Sequence, residues 1–157
     1  MFFCIAIMIL TVIADQTTKL LIVNSLELGE SAPLIPGVFN FTYIRNRGAA
    51  FGMLSEHRWI FMAMSVLLIA FLIIYLIKAK PQSKIVRLCL ALIVGGGIGN
   101  MIDRVIYGFV IDFLDFELIH FYIFNVADAA VTVGCAALVI YILFHEFAEQ
   151  RIGRKTK

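Results

Sequence analysis

Two aspartates stand close to the start of the last apolar stretch of the chain. Asp112 and Asp128 lie in the run VIDFLDFELIHFYIFNVADAA. A carboxylate at or below the headgroup level of a bilayer costs about 2.5–3.5 kcal/mol at mid-helix on insertion scales, so it is a candidate functional group. Two carboxylates a few ångströms apart tend to share one proton, and such a pair can activate water. The two residues therefore predict acid–base chemistry, provided that the fold brings them together.

The composition is that of a membrane protein. Of the 157 residues, 62% are hydrophobic and only 15% are charged, whereas about 25% are charged in a typical soluble domain. The net charge of +2 is too small to indicate nucleic-acid binding. The three cysteines lie in apolar stretches without C-x-x-C spacing, which favours packing thiols over disulfides or metal ligands. We expect neither a metal nor a cofactor.

Four stretches are long and apolar enough to cross a bilayer. The clearest stretch, residues 59–77, has Ser65 as its single polar member and would span about 28 Å as a helix with a rise of 1.5 Å per residue. The N-terminal stretch lacks the basic beginning and the cleavage site of a signal peptide, so we expect it to be retained as a first helix. The predicted spans are residues 2–23, 59–77, 88–106 and 121–144, within a single polytopic domain of residues 1–157.

Basic residues in two segments predict the orientation of the bundle. KAKPQSKIVR joins the second and third spans, and RIGRKTK ends the chain. Because Lys and Arg favour cytoplasmic loops, we expect both termini in the cytoplasm and the other two loops outside. In the first outer loop, VFNFTYIR alternates apolar with polar residues, which indicates one or two short β-strands on the membrane surface. The predicted fold is an all-α membrane protein of four transmembrane helices with a small β-rich extracytoplasmic region.

The charged side chains within the predicted spans, together with two asparagines, gather in one outer layer. They are Asp15 and Lys19 in the first span, Asn100, Asp103 and Arg104 in the third, and Asn125 and Asp128 in the fourth. One interpretation is a set of buried ion pairs and hydrogen bonds that lock the bundle together, which suits Asp15 with Lys19 and Asp103 with Arg104. That interpretation explains Asp112 and Asp128 poorly, because neither has a basic residue within a helical turn.

The glycine run GGGIG at 95–99 admits two interpretations. A nucleotide-binding loop would need a preceding strand, and this run lies inside a span. Gly95 and Gly99 instead stand four residues apart, a spacing that permits close approach of two helices. Helix packing is therefore the favoured interpretation.

Five sequence blocks in chain order resemble the signature blocks of bacterial lipoprotein signal peptidase (signal peptidase II). They are DQTTK at Asp15–Lys19, YIRNRGAAFG at Tyr43–Gly52, GGGIGNMIDR at Gly95–Arg104, VIDF at Val110–Phe113 and FNVAD at Phe124–Asp128. The resemblance covers about residues 15 to 135. Five blocks in this order, in a four-span chain of this length, are highly specific.

The resemblance implies a membrane aspartic endopeptidase that removes signal peptides from diacylglyceryl-modified prolipoproteins, just before the lipidated cysteine. Asp112 and Asp128 match the catalytic pair. The positions that match supporting polar residues of the family are Asp15, Lys19, Asn46, Asn100, Arg104 and Asn125. The resemblance also implies a bacterial cytoplasmic membrane enzyme with its site near the extracytoplasmic face. Its expected partners are prolipoproteins and membrane lipid, and we expect it to act as a monomer.

Two alternatives belong to other functional classes. Carboxylates inside a bilayer, together with a Lys and an Arg, also suit a proton or ion pathway in a small transporter subunit. A pathway must reach both faces of the membrane, and the inner halves of these predicted helices supply almost no polar residue. A purely structural assembly factor is the other alternative, and it leaves Asp112 and Asp128 without a role.

Overall fold

The computed structural model describes residues 1–48 and 58–155. In chain order the elements are α1 (Phe2–Ser25), β1 (Ser31–Ile35), β2 (Phe39–Asn46), α2 (Arg58–Ala79), α3 (Lys84–Ile106), β3 (Val110–Asp115), a 3₁₀ turn (Glu117–Ile119) and α4 (Val126–Lys155). All four helices contain a segment long and apolar enough to cross a membrane. The three strands form one small antiparallel sheet. The predicted fold class is therefore confirmed.

The start of α4 differs from the prediction. The helix begins at Val126, five residues after the expected start of the fourth span at 121. Phe124 instead forms an isolated antiparallel bridge with Leu114 next to the sheet. The following residue, Asn125, accepts a hydrogen bond from the Asp128 N–H at 2.9 Å, and Asp128 accepts one from the Asn125 N–H at 3.2 Å. This reciprocal capping arrangement stops the helix from extending toward the N-terminus.

The third helix is the centre of the bundle. It packs against α1, α2 and α4, and 50% of its span is buried, whereas only 6% of the span of α2 is buried. One apolar cluster includes Cys4, Leu76, Leu90 and Ala91, from three helices. The exposed faces of the other helices are apolar, as expected for helices surrounded by lipid.

Glycines on α3 allow its neighbours to come close. A Cβ added at Gly95 would lie 2.9 Å from the Cβ of Thr11 on α1, and one added at Gly96 would overlap the carbonyl oxygen of Ala127 on α4. The favoured interpretation of the glycine run as a packing surface is confirmed. It serves two different helices, because successive helical residues point in directions about 100° apart.

The sheet covers one end of the bundle in the order β1-β2-β3. The chain leaves α3 through a turn in which Gly108 has a φ of 76°, a conformation that favours glycine. β3 then pairs with β2, so that Asp112 stands opposite Ile44 and Val110 opposite Asn46. This register places Asp112 on a buried strand directly above the helices.

Candidate active site

Asn125 connects the two aspartates that the sequence singles out. Asp112 is only 1% exposed on β3, and Asp128 is in the first turn of α4. The Asn125 side chain donates from Nδ2 to Asp112 Oδ1 at 2.6 Å, and its main-chain N–H donates to Asp128 Oδ2 at 3.2 Å. The fold therefore brings both carboxylates within hydrogen-bonding distance of a single residue.

The remaining carboxylate oxygens also accept hydrogen bonds from amides. Asn46 Nδ2 on β2 donates to Asp112 Oδ2 at 2.9 Å, and Asn100 Nδ2 on α3 donates to Asp128 Oδ1 at 2.7 Å. Each acid is thus held through both of its oxygens by neutral donors. Such donors fix the orientation of a carboxylate without neutralising its charge.

Lys19 determines which way the Asn100 amide points. Its Nζ lies 2.8 Å from Asp15 Oδ2 and 2.9 Å from Asp103 Oδ2, and it also donates to Asn100 Oδ1 at 3.0 Å. An ammonium group has only donors, so it requires the oxygen of Asn100 to face it. The Asn100 nitrogen must then face Asp128.

Asp15 joins α1 to the helix that carries Asp128. Its Oδ1 accepts a hydrogen bond from the Ala127 N–H at 2.9 Å, in the first turn of α4. The first N–H groups of a helix have no partner within it, so a carboxylate from a neighbouring helix satisfies one of them here. Gly99 leaves the space for this contact, since a Cβ there would lie 2.6 Å from Asp15 Oδ2.

Asp103 and Arg104 both take part in the buried polar network, but they do not pair with each other. Asp103 pairs with Lys19 and also accepts from the Ile111 N–H at 3.1 Å. Arg104 lies partly buried and donates from Nη1 to the carbonyl oxygen of Asn100 at 3.2 Å. Adjacent residues of a helix point about 100° apart, so one of them faces α1 and the other does not.

Gln16 is a residue of this site that the sequence alone does not single out. Its Nε2 approaches Asp15 Oδ2 at 3.1 Å, the Gly99 carbonyl oxygen at 3.1 Å and Asp103 Oδ1 at 2.9 Å. It thereby ties α1 to α3. A polar amide beside Asp15 in an apolar helix is the signal that points to it.

Burial raises the pKa of Asp112 to about 7, and the nearby charge of Asp128 acts in the same direction. The hydrogen bonds from Asn46 and Asn125 oppose the shift because they stabilise the ionised form. Asp112 is therefore partly protonated near neutral pH, unlike an ordinary aspartate. An acid that can either hold or release a proton at this pH is suited to acid–base chemistry.

The fold and this site together define a multi-pass membrane protein with paired carboxylates at one end of its helix bundle. Residues 7–144 match the family model of signal peptidase (SPase) II. The lipoprotein signal peptidase of Brevibacillus brevis is 50% identical over 126 residues, which cover 80% of this chain and 85% of that protein. The chain belongs to the signal peptidase II family, and it is a peptidase of a bacterial membrane.

Further similarities extend over nearly the whole chain. The lipoprotein signal peptidase of Halothermothrix orenii is 42% identical over 147 residues, covering 94% of this chain and 97% of that protein. A bacterial membrane enzyme solved by the in meso method at 2.3 Å resolution is 34% identical, with a TM-score of 0.86 over 91% of this chain and 88% of that chain. A second such structure, at 1.9 Å resolution, has a TM-score of 0.84 at 34% identity, covering 91% of this chain and 94% of that chain.

Proposed function

We propose that this protein is an aspartic endopeptidase that removes signal peptides from diacylglyceryl-modified prolipoproteins, cutting just before the lipidated cysteine. The observation that carries the proposal is that Asn125 donates hydrogen bonds to both Asp112 and Asp128. Its relatives are named lipoprotein signal peptidases, which supports the substrate class. All the proposed groups come from one chain, so a monomer suffices.

In the proposed reaction the two aspartates share one proton. The ionised member takes a proton from water as the water attacks the scissile carbonyl, and the protonated member donates to the carbonyl oxygen. The carbon–nitrogen bond then breaks, and the leaving nitrogen takes up a proton from the pair. A pKa of about 7 for Asp112 supports this scheme, because a proton is then available on the pair at neutral pH.

The supporting residues have distinct roles in this proposal. Asn46 and Asn125 hold Asp112, and Asn100 holds Asp128. Lys19 and Asp15 act one step away, by orienting Asn100 and by capping α4. Arg104 lies close enough to both aspartates to interact with their charges, and we assign to it the stabilisation of negative charge on the reacting carbonyl. These assignments give a role to each of the six supporting positions that the resemblance to the family indicated.

The proposed orientation places the site at the extracytoplasmic face, with both termini in the cytoplasm. The basic α2–α3 connection and the basic tail support it. A signal helix that spans the bilayer would present its cleavage site at that face, while the acyl chains of the cysteine remain in the membrane. An ion pathway has less support, because it would need polar side chains along the whole length of the bundle. On α1, which the structure describes in full, Thr11 is the one buried polar residue apart from Asp15 and Lys19, and its hydroxyl donates to the Ile7 carbonyl oxygen of its own helix.

The first prediction tests the catalytic pair. Asp112→Asn or Asp128→Asn should each reduce cleavage of a purified diacylglyceryl-modified prolipoprotein by about 10²–10⁴-fold, because the amide cannot exchange the shared proton. Cleavage is scored by gel shift, and folding by thermal unfolding in detergent. The matched control is Asp115→Asn, on the same strand, whose carboxylate accepts a hydrogen bond from Thr42 Oγ1 at 2.8 Å.

The Asp115→Asn variant should cleave at close to the normal rate. Substantial turnover by either active-site variant would remove that aspartate from the proposed mechanism. Equal cleavage of a prolipoprotein that lacks the diacylglyceryl group would contradict the proposed substrate class while leaving the catalytic pair intact.

A further inference from the structure

Large apolar side chains are exposed on the sheet, beyond the ends of the helices. Leu34 and Ile35 at the end of β1 and Leu118 and Ile119 in the 3₁₀ turn are between 52% and 66% exposed. We call these four residues the outer patch. Exposed apolar clusters of this kind mark a surface that contacts a protein or a membrane.

The outer patch is one surface although its residues come from two distant parts of the chain. The Leu118 N–H donates to the carbonyl oxygen of Val38, in the turn that follows Ile35, at 3.3 Å. Beside it, Asn40 Nδ2 donates to Glu117 Oε2 at 3.0 Å. These bonds hold the 3₁₀ turn against the β1–β2 hairpin, so the two pairs of apolar side chains are held in fixed positions relative to each other.

A series of aromatic rings leads from the outer patch to the start of α4. Phe39 and Phe116 have ring centroids 4.8 Å apart, Phe116 and Phe124 are 5.9 Å apart, and Phe121 and Phe124 are 5.7 Å apart. Phe121 and Tyr122 are exposed just before the membrane span of α4 begins. Among these residues Tyr122 has both an apolar ring and a polar end, and such side chains are common at the boundary between lipid and water. The apolar surface of the sheet is therefore continuous with the lipid-facing surface of the bundle.

The charges around the outer patch limit what it can bind. Residues 26–44 and 113–124 contain Glu27, Glu30, Asp115 and Glu117, and neither segment contains a Lys or an Arg. Arg45 lies toward the other end of β2, where its guanidinium stands over the rings of Tyr43 and Phe109. Attraction to anionic headgroups therefore contributes little at the outer patch itself. Burial of its apolar side chains can hold this surface on a membrane, and it does not depend on salt or on lipid charge.

We propose that the outer patch is a membrane anchor that inserts between the headgroups of the adjacent leaflet and binds neutral or zwitterionic lipid. Two segments of the sheet region are then held at the depth where headgroups meet acyl chains. Because β3 belongs to the same sheet, this anchor holds Asp112 at a constant height relative to the bilayer. The inference does not depend on the proposed reaction.

Tryptophan fluorescence in phosphatidylcholine nanodiscs tests the anchor. The chain has a single tryptophan, Trp59, so a Trp59→Phe background makes an introduced tryptophan the only one. The test variants are Leu118→Trp and, from the other segment, Ile35→Trp. The references are Leu67→Trp, which is exposed in the middle of α2, and Gln82→Trp, which is exposed in a polar loop.

Both test variants should be quenched by phosphatidylcholine brominated near the headgroup end of its acyl chains. Both should be protected severalfold from acrylamide relative to Gln82→Trp. Replacing part of the lipid with anionic phosphatidylglycerol should leave the quenching unchanged.

Acrylamide quenching as strong as that of Gln82→Trp, without quenching by the brominated lipid, would overturn the anchor. Protection that appears only after a prolipoprotein is added would assign the outer patch to the substrate and would also overturn the proposal. Two variants from separate segments keep the test decisive if one of them fails to fold, and a blue-shifted, lipid-quenched emission from either variant supports it.

Discussion

At the scale of single residues, Asn125 has two structural tasks. Its side chain begins α4 by accepting the Asp128 N–H, and the same side chain donates to Asp112. The start of the helix and the geometry of the two carboxylates therefore depend on each other. A change that moved the beginning of α4 by one residue would also separate the pair.

The raised pKa of Asp112 predicts how activity responds to pH. If the reaction needs one proton on the pair, kcat/KM should fall as the pH rises above about 7 and approach a tenfold loss per pH unit. Initial cleavage rates between pH 5 and pH 9 measure this decrease in kcat/KM, and the Asp115→Asn variant should show the same pH profile. A rate that stays constant to pH 9 would contradict a shared proton.

The raised pKa of Asp112 also makes the free energy of unfolding depend on pH, and the direction of this dependence is definite. The pKa of Asp112 is about 7 in the folded protein and has the ordinary value of 3.8 when the chain unfolds, so the folded state binds more protons between these values. The contribution of Asp112 protonation to stability is complete below pH 3.8, decreases as the pH rises and is lost above about 7. The full span is about 4 kcal/mol, at 1.36 kcal/mol per pH unit. Asp112→Asn should remove this dependence from unfolding curves measured between pH 5 and pH 8.

At the scale of elements, α3 holds the site together through its small residues. Gly95 and Gly99 face α1, Gly96 faces α4, and Gly97 meets only the end of the Ile69 side chain on α2. The helix can therefore approach both α1 and α4 closely enough for Lys19 to reach Asp103 and Asn100. Close packing and the polar network are parts of one arrangement.

Two neighbouring glycines provide a matched test of this packing. Gly96→Ala should destabilise the protein by about 1–3 kcal/mol through overpacking against the Ala127 backbone, and it should reduce cleavage by displacing the start of α4. Gly97→Ala meets a flexible side chain at 3.2 Å, and the better helix propensity of alanine, about 1 kcal/mol, should make it neutral or slightly stabilising. Thermal unfolding in detergent and the gel-shift assay measure both. Equal effects of the two substitutions would show that α3–α4 contact does not control the site.

At the scale of the whole molecule, the buried charges are gathered at one end of the bundle. Asp15, Lys19 and Asp103 are at most 1% exposed, and Lys19 lies within 3 Å of both acids. Burying an unpaired charge costs several kcal/mol, and two acids around one ammonium group reduce that cost. Concentrating them in one layer leaves the remaining length of each helix free to face lipid.

The proposed orientation predicts which side of the membrane each loop occupies. Glu27→Cys, in the exposed connection between α1 and β1, should react with a membrane-impermeant thiol reagent in intact cells, and Gln82→Cys should react only after the membrane is opened. Cys4 and Cys89 are buried, but Cys135 is exposed on α4, contrary to the expectation of a packing thiol. A Cys135→Ser background removes this thiol from the assay. Labelling of Gln82→Cys from outside would show that the bundle has the opposite orientation, with Asp112 on the cytoplasmic side.

The sequence by itself determined the class of the protein and the residues of interest. Long apolar stretches are local properties of the chain, so the helices follow from composition, and alternation indicated β2. The alternation did not indicate β1 or β3, and β3 is the strand that carries Asp112. The resemblance of five short blocks pointed to the family, and the comparisons confirm it. These features need no knowledge of which helix touches which.

Only the tertiary structure decided how those residues are connected. The pairing of Lys19 with Asp103, the bridge made by Gln16 and the start of α4 at Val126 all depend on contacts between elements far apart in the chain. The direction of a polar side chain inside a bundle is determined by its partners on other helices, because an unsatisfied polar group there costs several kcal/mol. Helical spacing places Asp103 and Arg104 side by side, but the position of α1 decides which of them receives the ammonium group.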